Sequence, residues 1–343
     1  MRSRLFALPL CLGLALTILS SAAQAQYKLT NLVSNQSGAA EHTDPLLVNA
    51  WGLAYGPGGP IWIADNKTGW STIYSGNGVA HTLKVVVPSE NGKGLGSPTG
   101  IVFNGSADFM IQGWSTFFLF ATLDGTISGW APQANPNQAI IKVDNAKLGA
   151  SYTGLAITSN ASGNLLFAAD VANNQVDVYD GTFKLVKALS DKTLPANFGV
   201  FGVQDISNVI YVTYADSTGG PGGFINMYTE DGTFIKRLTS DKHLNQPWGV
   251  AAAPGNFGPL SNTLLVSNNT NDGHIIAING ITGAVVGIVK DEDGKPITIN
   301  QLWGITFGGG TANDGGKNQL FFTAGPDNNL AGTFGVIDFK PDN

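Results

Sequence analysis

The sequence contains very little cysteine and little charge. Its 343 residues include one cysteine, Cys11, and charged residues make up 12%, about half of the usual ~25%. Cys11 lies in a segment that we expect to be removed, so disulfides, thiol catalysis and thiolate metal sites are excluded for the mature chain. The 18 Lys and Arg residues are scattered and are outnumbered by 24 Asp and Glu. This balance argues against nucleic acid or an anionic membrane surface as a partner.

Residues 1–25 have the features of a secretory signal peptide. Two arginines precede an apolar run over residues 5–19, and residues 23–25 read Ala-Gln-Ala, a cleavage pattern. The alternative is a membrane anchor, but the apolar run is shorter than the ~20 residues that span a bilayer. We therefore predict one mature domain over residues 26–343 and no membrane insertion after cleavage. The mature protein is expected to be secreted, to a periplasm or to the outside.

Glycine is abundant, with 45 residues, and one phrase around glycine recurs along the chain. In this phrase an aromatic or small residue precedes the glycine and two or three apolar residues follow it, as in Trp51-Gly52-Leu53-Ala54. The glycines of the phrase lie 47–55 residues apart, at Gly52, Gly100, Gly154, Gly202, Gly249 and Gly304. A period of this size is typical of propeller blades.

Further β-rich runs follow each glycine phrase. Asn77-Gly78, Asp180-Gly181 and Asp231-Gly232 are hairpin signals between such runs. Four short strands per repeat make a propeller blade, but the sixth repeat ends after its third strand, and residues 27–33 alternate like the missing one. The sequence predicts an all-β, six-bladed β-propeller of four-stranded blades, with the N-terminal strand completing the last blade and closing the ring. The alternatives are a β-solenoid and two β-sandwiches.

Two sets of repeated side chains have both a structural and a functional interpretation. Three tryptophans, Trp51, Trp248 and Trp303, precede repeat glycines, where they could pack between blades or stack a sugar or aromatic ligand. Their repeated position favours packing. Asp or Asn residues end several second strands, where hydrogen bonding to a turn is favoured over Ca²⁺ binding. These residues are Asp65, Asp170, Asp216 and Asn268.

The loops that lead into the inner strands surround one mouth of the central channel. Their side chains are mostly amides and hydroxyls, which bind neutral polar ligands or a cation and are poor acids and bases near neutral pH. We expect the ligand contacts among Asp44, Asn49, Ser97, Thr99, Tyr152, Gln204, Gln246 and Asn300. No catalytic residue is assigned, so an enzymatic function stays open.

The blade pattern resembles NHL-type six-bladed propellers. More closely, residues 27–339 resemble a family of secreted bacterial proteins without an assigned reaction, many of which end in a Pro-Glu-Pro sorting tail. Residues 338–343 do not match that tail, so we expect release rather than anchoring. The resemblance is carried by Thr30-Asn31-Leu32-Val33-Ser34, Asn49-Ala50-Trp51-Gly52-Leu53-Ala54, Trp62-Ile63-Ala64-Asp65-Asn66, Gly96-Ser97-Pro98-Thr99-Gly100-Ile101-Val102-Phe103-Asn104, Asp124-Gly125-Thr126-Ile127-Ser128-Gly129-Trp130, Gln246-Pro247-Trp248-Gly249 and Phe322-Thr323-Ala324-Gly325-Pro326.

Distant six-bladed relatives of such families include calcium-dependent lactonases, such as gluconolactonase, and peptide-amidating lyases. The lactonases resemble one another in a central set of Glu, Asn and Asp around Ca²⁺. No Glu of this sequence falls where an inner strand starts. The resemblance therefore implies the fold and not the lactonase reaction.

Two functions follow as expectations. The first is an exported propeller that binds a small polar ligand, a glycan or a protein partner at its channel mouth. The alternative is a lactonase-like hydrolase or lyase with Ca²⁺ as its cofactor, which would polarise a carbonyl in the central channel. The ligands of that cation would be Asp44, Asn49, Tyr152 and Asn300.

Overall fold

The computed structural model describes residues 26–160 and 163–341, which form a ring of six β-sheets. The predicted signal peptide, residues 1–25, lies outside the described residues. The first strands are β1 (Gln26–Ser34) and the two-residue β2 (His42–Thr43). Within the described part of the chain, no helix is long and apolar enough to cross a bilayer.

The first three blades are antiparallel sheets whose strands follow in chain order from the centre outwards. Blade 1 consists of β3 (Ala50–Ala54), β4 (Ile61–Asp65), β5 (Trp70–Tyr74) and β6 (Val85–Val86). Blade 2 starts with β7 (Pro98–Phe103), contains a separate hairpin of β8 (Met110–Ile111) and β9 (Trp114–Ser115), and continues with β10 (Phe118–Thr122), β11 (Thr126–Trp130) and β12 (Ile140–Asp144). Blade 3 consists of β13 (Tyr152–Asn160), β14 (Gly163–Asp170), β15 (Gln175–Asp180) and β16 (Leu185–Leu189).

The other three blades follow the same plan. Blade 4 consists of β17 (Phe198–Ile206), β18 (Val209–Asp216), β19 (Gly223–Thr229) and β20 (Phe234–Asp241). Blade 5 consists of β21 (Pro247–Ala252), β22 (Leu264–Asn268), β23 (Ile275–Ile278) and β24 (Val285–Ile288). Blade 6 contains β25 (Leu302–Phe307), β26 (Gln319–Ala324), the one-turn α1 (Pro326–Asn329) and β27 (Thr333–Lys340). Single 3-10 turns lie at Glu90–Gly92, Ala146–Leu148 and Gly258–Leu260.

The N-terminal strand completes blade 6 and closes the ring. β1 pairs antiparallel with β27, from Gln26 opposite Lys340 to Ser34 opposite Thr333. β2 then covers part of the outer edge of β1. The predicted six-bladed propeller and its N-terminal closure are confirmed.

Both faces of most blades are buried, because each sheet packs against the sheets before and after it. Six clusters of buried apolar side chains lie between successive blades. Between blades 1 and 2, for example, Trp62 stacks on Phe118 with ring centroids 4.1 Å apart. Between blades 5 and 6, the Tyr27 hydroxyl donates to the Phe257 carbonyl oxygen at 2.8 Å. Two buried faces per sheet leave few positions for charge, which accounts for the low charged fraction.

We call the first strand of each blade its inner strand. The inner strands contact one another around the ring, and the last of them packs against the first. They surround a central channel, which therefore has a start face, where these strands begin, and an end face, where they finish. The inner strands are β3, β7, β13, β17, β21 and β25.

Candidate functional site

The inner strands lie close together because a repeat glycine faces the next blade. A Cβ atom at Gly52 would lie 2.5 Å from the Thr99 carbonyl oxygen, and one at Gly304 would lie 2.7 Å from the Trp51 carbonyl oxygen. Any larger residue would push the blades apart, as expected for glycine where two backbones approach. The glycine phrase therefore makes the channel narrow and brings its neighbouring residues to the channel.

Three indoles fill the channel towards the start face. Trp51 and Trp303 stack with ring centroids 3.5 Å apart, and Trp248 meets both edge to face at 6.2 and 5.9 Å. Each of the three side chains is at most 6% exposed, and Phe201 packs on Trp303 from blade 4. We call Trp51, Trp248 and Trp303 the tryptophan plug. The three side chains pack as the structural interpretation predicts, but they pack on one another within the channel, and Trp248 also faces a cavity on the end-face side of the channel.

Hydrogen bonds fix two of the three indoles. Trp248 Nε1 donates to the Thr153 carbonyl oxygen at 2.9 Å, and Trp303 Nε1 donates to Asn49 Oδ1 at 3.2 Å. Trp51 Nε1 is buried and has no partner among the described residues. Buried N–H groups are usually paired. Hydrogen bonds therefore orient the indoles of Trp248 and Trp303, whereas packing alone orients the indole of Trp51.

A cavity of about 360 Å³ lies between the plug and the end face. Residues from all six blades line it, and Trp248 of the plug forms part of its floor. The walls combine apolar side chains with exposed polar atoms and come mainly from the residues that follow the repeat glycines. The apolar side chains include Leu53, Ile101, Phe103, Leu155, Ile157 and Ile305. This size and lining are typical of sites for small molecules, which measure ~300–1,000 Å³.

One carboxyl group, that of Asp205, lies in this wall. Asp205 is half-buried near the end of β17 and lines the cavity. Thr158, on the neighbouring inner strand β13, lies close enough for its hydroxyl to act on this carboxyl group. Burial raises the pKa of Asp205 to about 6, although the Asn208 N–H and the Thr158 hydroxyl oppose this shift. Asp205 therefore changes charge in the mildly acidic range.

Two further polar groups lie at the cavity wall. Gln204 Nε2 donates to the Val203 carbonyl oxygen at 2.8 Å, which leaves its amide oxygen as an acceptor for a ligand. Tyr55 donates its hydroxyl to the Phe307 carbonyl oxygen at 2.7 Å. Burial, and the negative charge of Asp314, raise the pKa of Tyr55. Tyr55 is therefore a neutral hydrogen-bonding group and not a base at ordinary pH.

Comparison of the six repeats could have identified Asp205. In five repeats the third residue after the glycine is apolar or aromatic, whereas in the fourth it is Asp205. The five counterparts are Tyr55, Phe103, Ile157, Ala252 and Phe307. A carboxylate in an apolar repeat position requires a reason beyond packing. Asp205 lies just beyond the glycine phrase of the fourth repeat, so the phrase alone does not reveal it.

The predicted ligand contacts nearest the plug are buried in the framework of the ring. Asn49 accepts from Trp303 and donates to Asn66 Oδ1 at 3.0 Å. Thr99 Oγ1 donates to the Tyr152 carbonyl oxygen at 2.7 Å. The Tyr152 hydroxyl lies in a buried network with Asp177 and Tyr179, and burial strongly raises its pKa.

The other predicted contacts lie apart from one another. Asp44 accepts from the Tyr74 hydroxyl at 2.9 Å, and the Ser97 N–H donates to Asp124 Oδ2 at 2.6 Å. Gln246 and Asn300 donate to main-chain carbonyl oxygens in their own neighbourhoods. Gln204 lies near the end of its inner strand and is the one member of the predicted set that lines the central cavity. The role of the set as ligand contacts stays a prediction.

The four residues predicted to hold Ca²⁺ are engaged in four different local networks. Asp44 binds Tyr74, Asn49 binds Trp303, Tyr152 binds Asp177, and Asn300 Nδ2 donates to the Asn271 carbonyl oxygen at 2.8 Å. In the part of the chain that the structure describes, no group of three or more His, Cys, Asp or Glu residues converges. Ca²⁺ takes 6–8 oxygen ligands, and the central cavity offers one carboxylate. These residues do not fit a calcium centre.

Two of the Asp and Asn residues that end second strands bond to the following turn, as predicted. The Asn173 N–H donates to Asp170 Oδ1 at 3.3 Å, and the Thr218 N–H donates to Asp216 Oδ1 at 2.8 Å. Asn268 instead accepts from the Asn245 N–H, which precedes the inner strand, at 3.1 Å. Asp65 accepts from the Thr72 N–H at 3.0 Å and is fully buried, so its pKa is raised well above the usual value by burial. These side chains tie the strands of a blade together at the start face.

Comparison with known proteins identifies relatives over most of the chain. An uncharacterised protein of Acanthamoeba polyphaga mimivirus is 31% identical over 334 residues, which is 91% of this chain and 80% of that protein. The chain belongs to the same protein family. A second uncharacterised member of this family from the mimivirus is 29% identical over 82% of this chain and 79% of its own length. No family model matches.

These relatives correct the protein family that the sequence motifs predicted. The resemblance to a family of secreted bacterial proteins was wrong, because the relatives that define this family are viral. The bacterial prediction relied on short phrases such as Trp51-Gly52-Leu53. Such phrases satisfy the general geometry of an inner strand, so propellers of separate origin can share them.

Solved structures share the fold at low sequence identity. A gluconolactonase from Xanthomonas campestris superposes with a TM-score of 0.56 at 13% identity, over 85% of this chain and 86% of that one. A streptogramin B lyase superposes with a TM-score of 0.55 at 14% identity, over 92% and 98%. A virginiamycin B lyase from Staphylococcus aureus gives 0.54 at 13% identity, over 92% and 99%. Lactonase and lyase propellers are therefore neighbours in fold.

Proposed function

We propose that this chain is an exported propeller that binds one small ligand with both apolar and polar groups in its central cavity. The observation that carries the proposal is the cavity of about 360 Å³, to which all six blades contribute lining residues, apolar side chains from most blades and Gln204 and Asp205 from blade 4. The rim carries a small number of polar groups, as ligand sites do.

The end face is the favoured mouth for this ligand. The plug residues Trp51, Trp248 and Trp303 are at most 6% exposed, so a ligand approaching from the start face would have to displace packed indoles. The amide and hydroxyl groups predicted to bind ligands at that face already have partners within the ring, as for Asn49 and Thr99. The ligand is therefore still expected in the central channel, but it enters at the end face and not at the start face.

Export rests on the leader-like features of residues 1–25, which are two arginines, an apolar run and Ala-Gln-Ala. Cleavage after these residues would keep Gln26, which pairs with Lys340. A leader removed before Gln26 would leave the closing strand whole. The intact mass of protein recovered from an exporting host should correspond to residues 26–343; protein that keeps residues 1–25 would contradict export by cleavage.

Binding in the cavity can be tested with a neutral fluorescent probe. N-phenyl-1-naphthylamine brightens when it leaves water for an apolar site, and we expect saturable binding at one probe per protein. Ala54 lines the cavity, so the variant Ala54→Trp should fill the space and abolish the signal. Ala188 is exposed on the outer strand β16, and Ala188→Trp is the matched control that should bind like the wild type.

Two results would contradict the binding proposal. One is the absence of saturable binding by the wild type. The other is equal binding by Ala54→Trp, which would place the probe elsewhere on the surface. Thermal unfolding of both variants must show a cooperative transition, so that a lost signal reports a filled cavity and not an unfolded chain.

A further inference from the structure

We propose that the natural occupant of the central cavity carries a protonated amine, which pairs with the Asp205 carboxylate while its apolar body contacts the cavity walls. This assignment of ligand class rests on the proposed function. It adds a charge and an orientation to a site that the cavity alone would define by size and hydrophobicity. The cationic end of the ligand would lie at blade 4, next to β17.

The first support is that Asp205 has no counter-charge from the protein. The residues that line the cavity include no Lys, Arg or His. Across residues 26–160 and 163–341, none of the ion pairs involves Asp205. The charge that acts on it comes from Glu230, which is also negative. A carboxylate withdrawn from water is costly without a cation, even when it is half-buried, so we expect the cation to come with the ligand.

The second support is the pair of acceptor side chains that blade 4 brings to the cavity wall. Asp205 and Gln204 both line the cavity, and the amide oxygen of Gln204 is left as an acceptor. An ammonium group has three donors and no acceptor. The carboxylate and the amide oxygen can therefore both accept from one primary amine, whereas a carboxylate ligand would meet repulsion.

The third support is the chemistry of the other walls. Phe103, Ile157, Ile305 and the indole of Trp248 are apolar or aromatic. They suit a hydrocarbon or aromatic body attached to the amine, and aromatic faces also favour nearby cations. The ligand class is therefore a hydrophobic primary amine of a size that fits about 360 Å³.

Three probes of nearly equal shape test this class. They are 2-phenylethylamine, 2-phenylethanol and 3-phenylpropionate, which are cationic, neutral and anionic at pH 7.5. Their affinities are measured by calorimetry on the full mature protein. We expect the amine to bind at least about tenfold more tightly than the alcohol, as for hydrogen bonds to a charged group, and the anion to bind least.

Two variants assign that preference to one carboxylate. Asp205→Asn should bring the amine and the alcohol to within about twofold of each other, because the amide keeps the shape and loses the charge. Asp293 is exposed, and Asp293→Asn, which removes the same charge from the surface, should keep the full preference. Retained binding of N-phenyl-1-naphthylamine by Asp205→Asn shows that the cavity is intact.

The outcomes separate the two proposals. Equal affinities of amine and alcohol in the wild type would overturn the amine assignment and leave cavity binding standing. Tightest binding of the anion would overturn it as well. Failure of all three probes and of the neutral fluorescent probe would overturn both proposals together.

Discussion

At the residue scale, one carboxyl group sets the chemistry of the candidate site. Asp205 lies in a repeat position that the other blades fill with apolar or aromatic residues. Burial raises its pKa to about 6, so the folded state holds a proton more tightly than the unfolded chain does. Because the pKa is raised, protonated Asp205 favours the folded state. The stabilisation that this proton provides is complete below about pH 4 and is lost as the pH rises through about 6.

The variant Asp205→Asn should therefore be more stable than the wild type above pH 6. The asparagine is neutral at every pH, while the wild type pays for the buried charge once Asp205 ionises. Because the side chain is only half-buried, solvent reduces the gain to about 1 kcal/mol, or a rise in Tm of roughly 2 °C. Thermal unfolding at pH 8 and pH 4 measures this difference, which should vanish at pH 4. A gain of equal size at both pH values would contradict the account.

At the element scale, glycine lets the inner strands approach one another. The Cβ of an alanine at position 52 would lie 2.5 Å from a carbonyl oxygen of blade 2, which cannot rotate away. We expect Gly52→Ala to lower the free energy of unfolding by more than about 2 kcal/mol, as overpacking against a fixed backbone does.

Gly287→Ala is the matched control for that substitution. Gly287 lies on the outer strand β24, and its Cβ would make an ordinary contact of 3.4 Å with Leu260. The control should change stability by less than about 0.5 kcal/mol. Urea unfolding of both variants checks the difference, and equal destabilisation would show that close approach is not the role of Gly52.

The periodic elements were predictable from sequence, and the cavity was not. Four strands per blade follow from local alternation and turn residues, which act over a few positions. The hairpin after Asp180 shows the limit of such rules, since Phe183 and not Gly181 takes the positive φ angle there. Gly181 is required because a Cβ would collide with Asp108 of blade 2. Contacts between blades of this kind depend on the three-dimensional ring.

At the scale of the whole molecule, closure joins the two ends of the chain. Tyr27 of β1 is buried against Phe257, and the whole of β1 pairs with β27. Removing residues 26–34 should expose the edge of β27 and cause association between molecules, because a bare strand edge pairs readily. Size-exclusion chromatography should show oligomers, and a peptide of residues 26–34 should restore the monomer where a scrambled peptide does not. A monomeric truncated protein would contradict this role.

The ring also explains why the site residues were hard to find from sequence. The expected contacts lay in loops at the start face, yet the indoles of Trp51, Trp248 and Trp303 meet in the channel and fill it on that side. Three tryptophans at one repeat position were visible in the sequence. That they converge on each other, and leave space only towards the end face, depends on the blade angles and could not be read from spacing.

The most direct measurement is the position of a bound amine in a crystal of the mature protein. The bromine of 4-bromophenylethylamine gives an anomalous signal that locates the ligand without bias. We predict one bromine peak inside the central cavity, near Phe103 and Ile305, with the amine at Asp205. Bromine peaks only on the outer surface, with the cavity empty at saturating amine, would contradict the account.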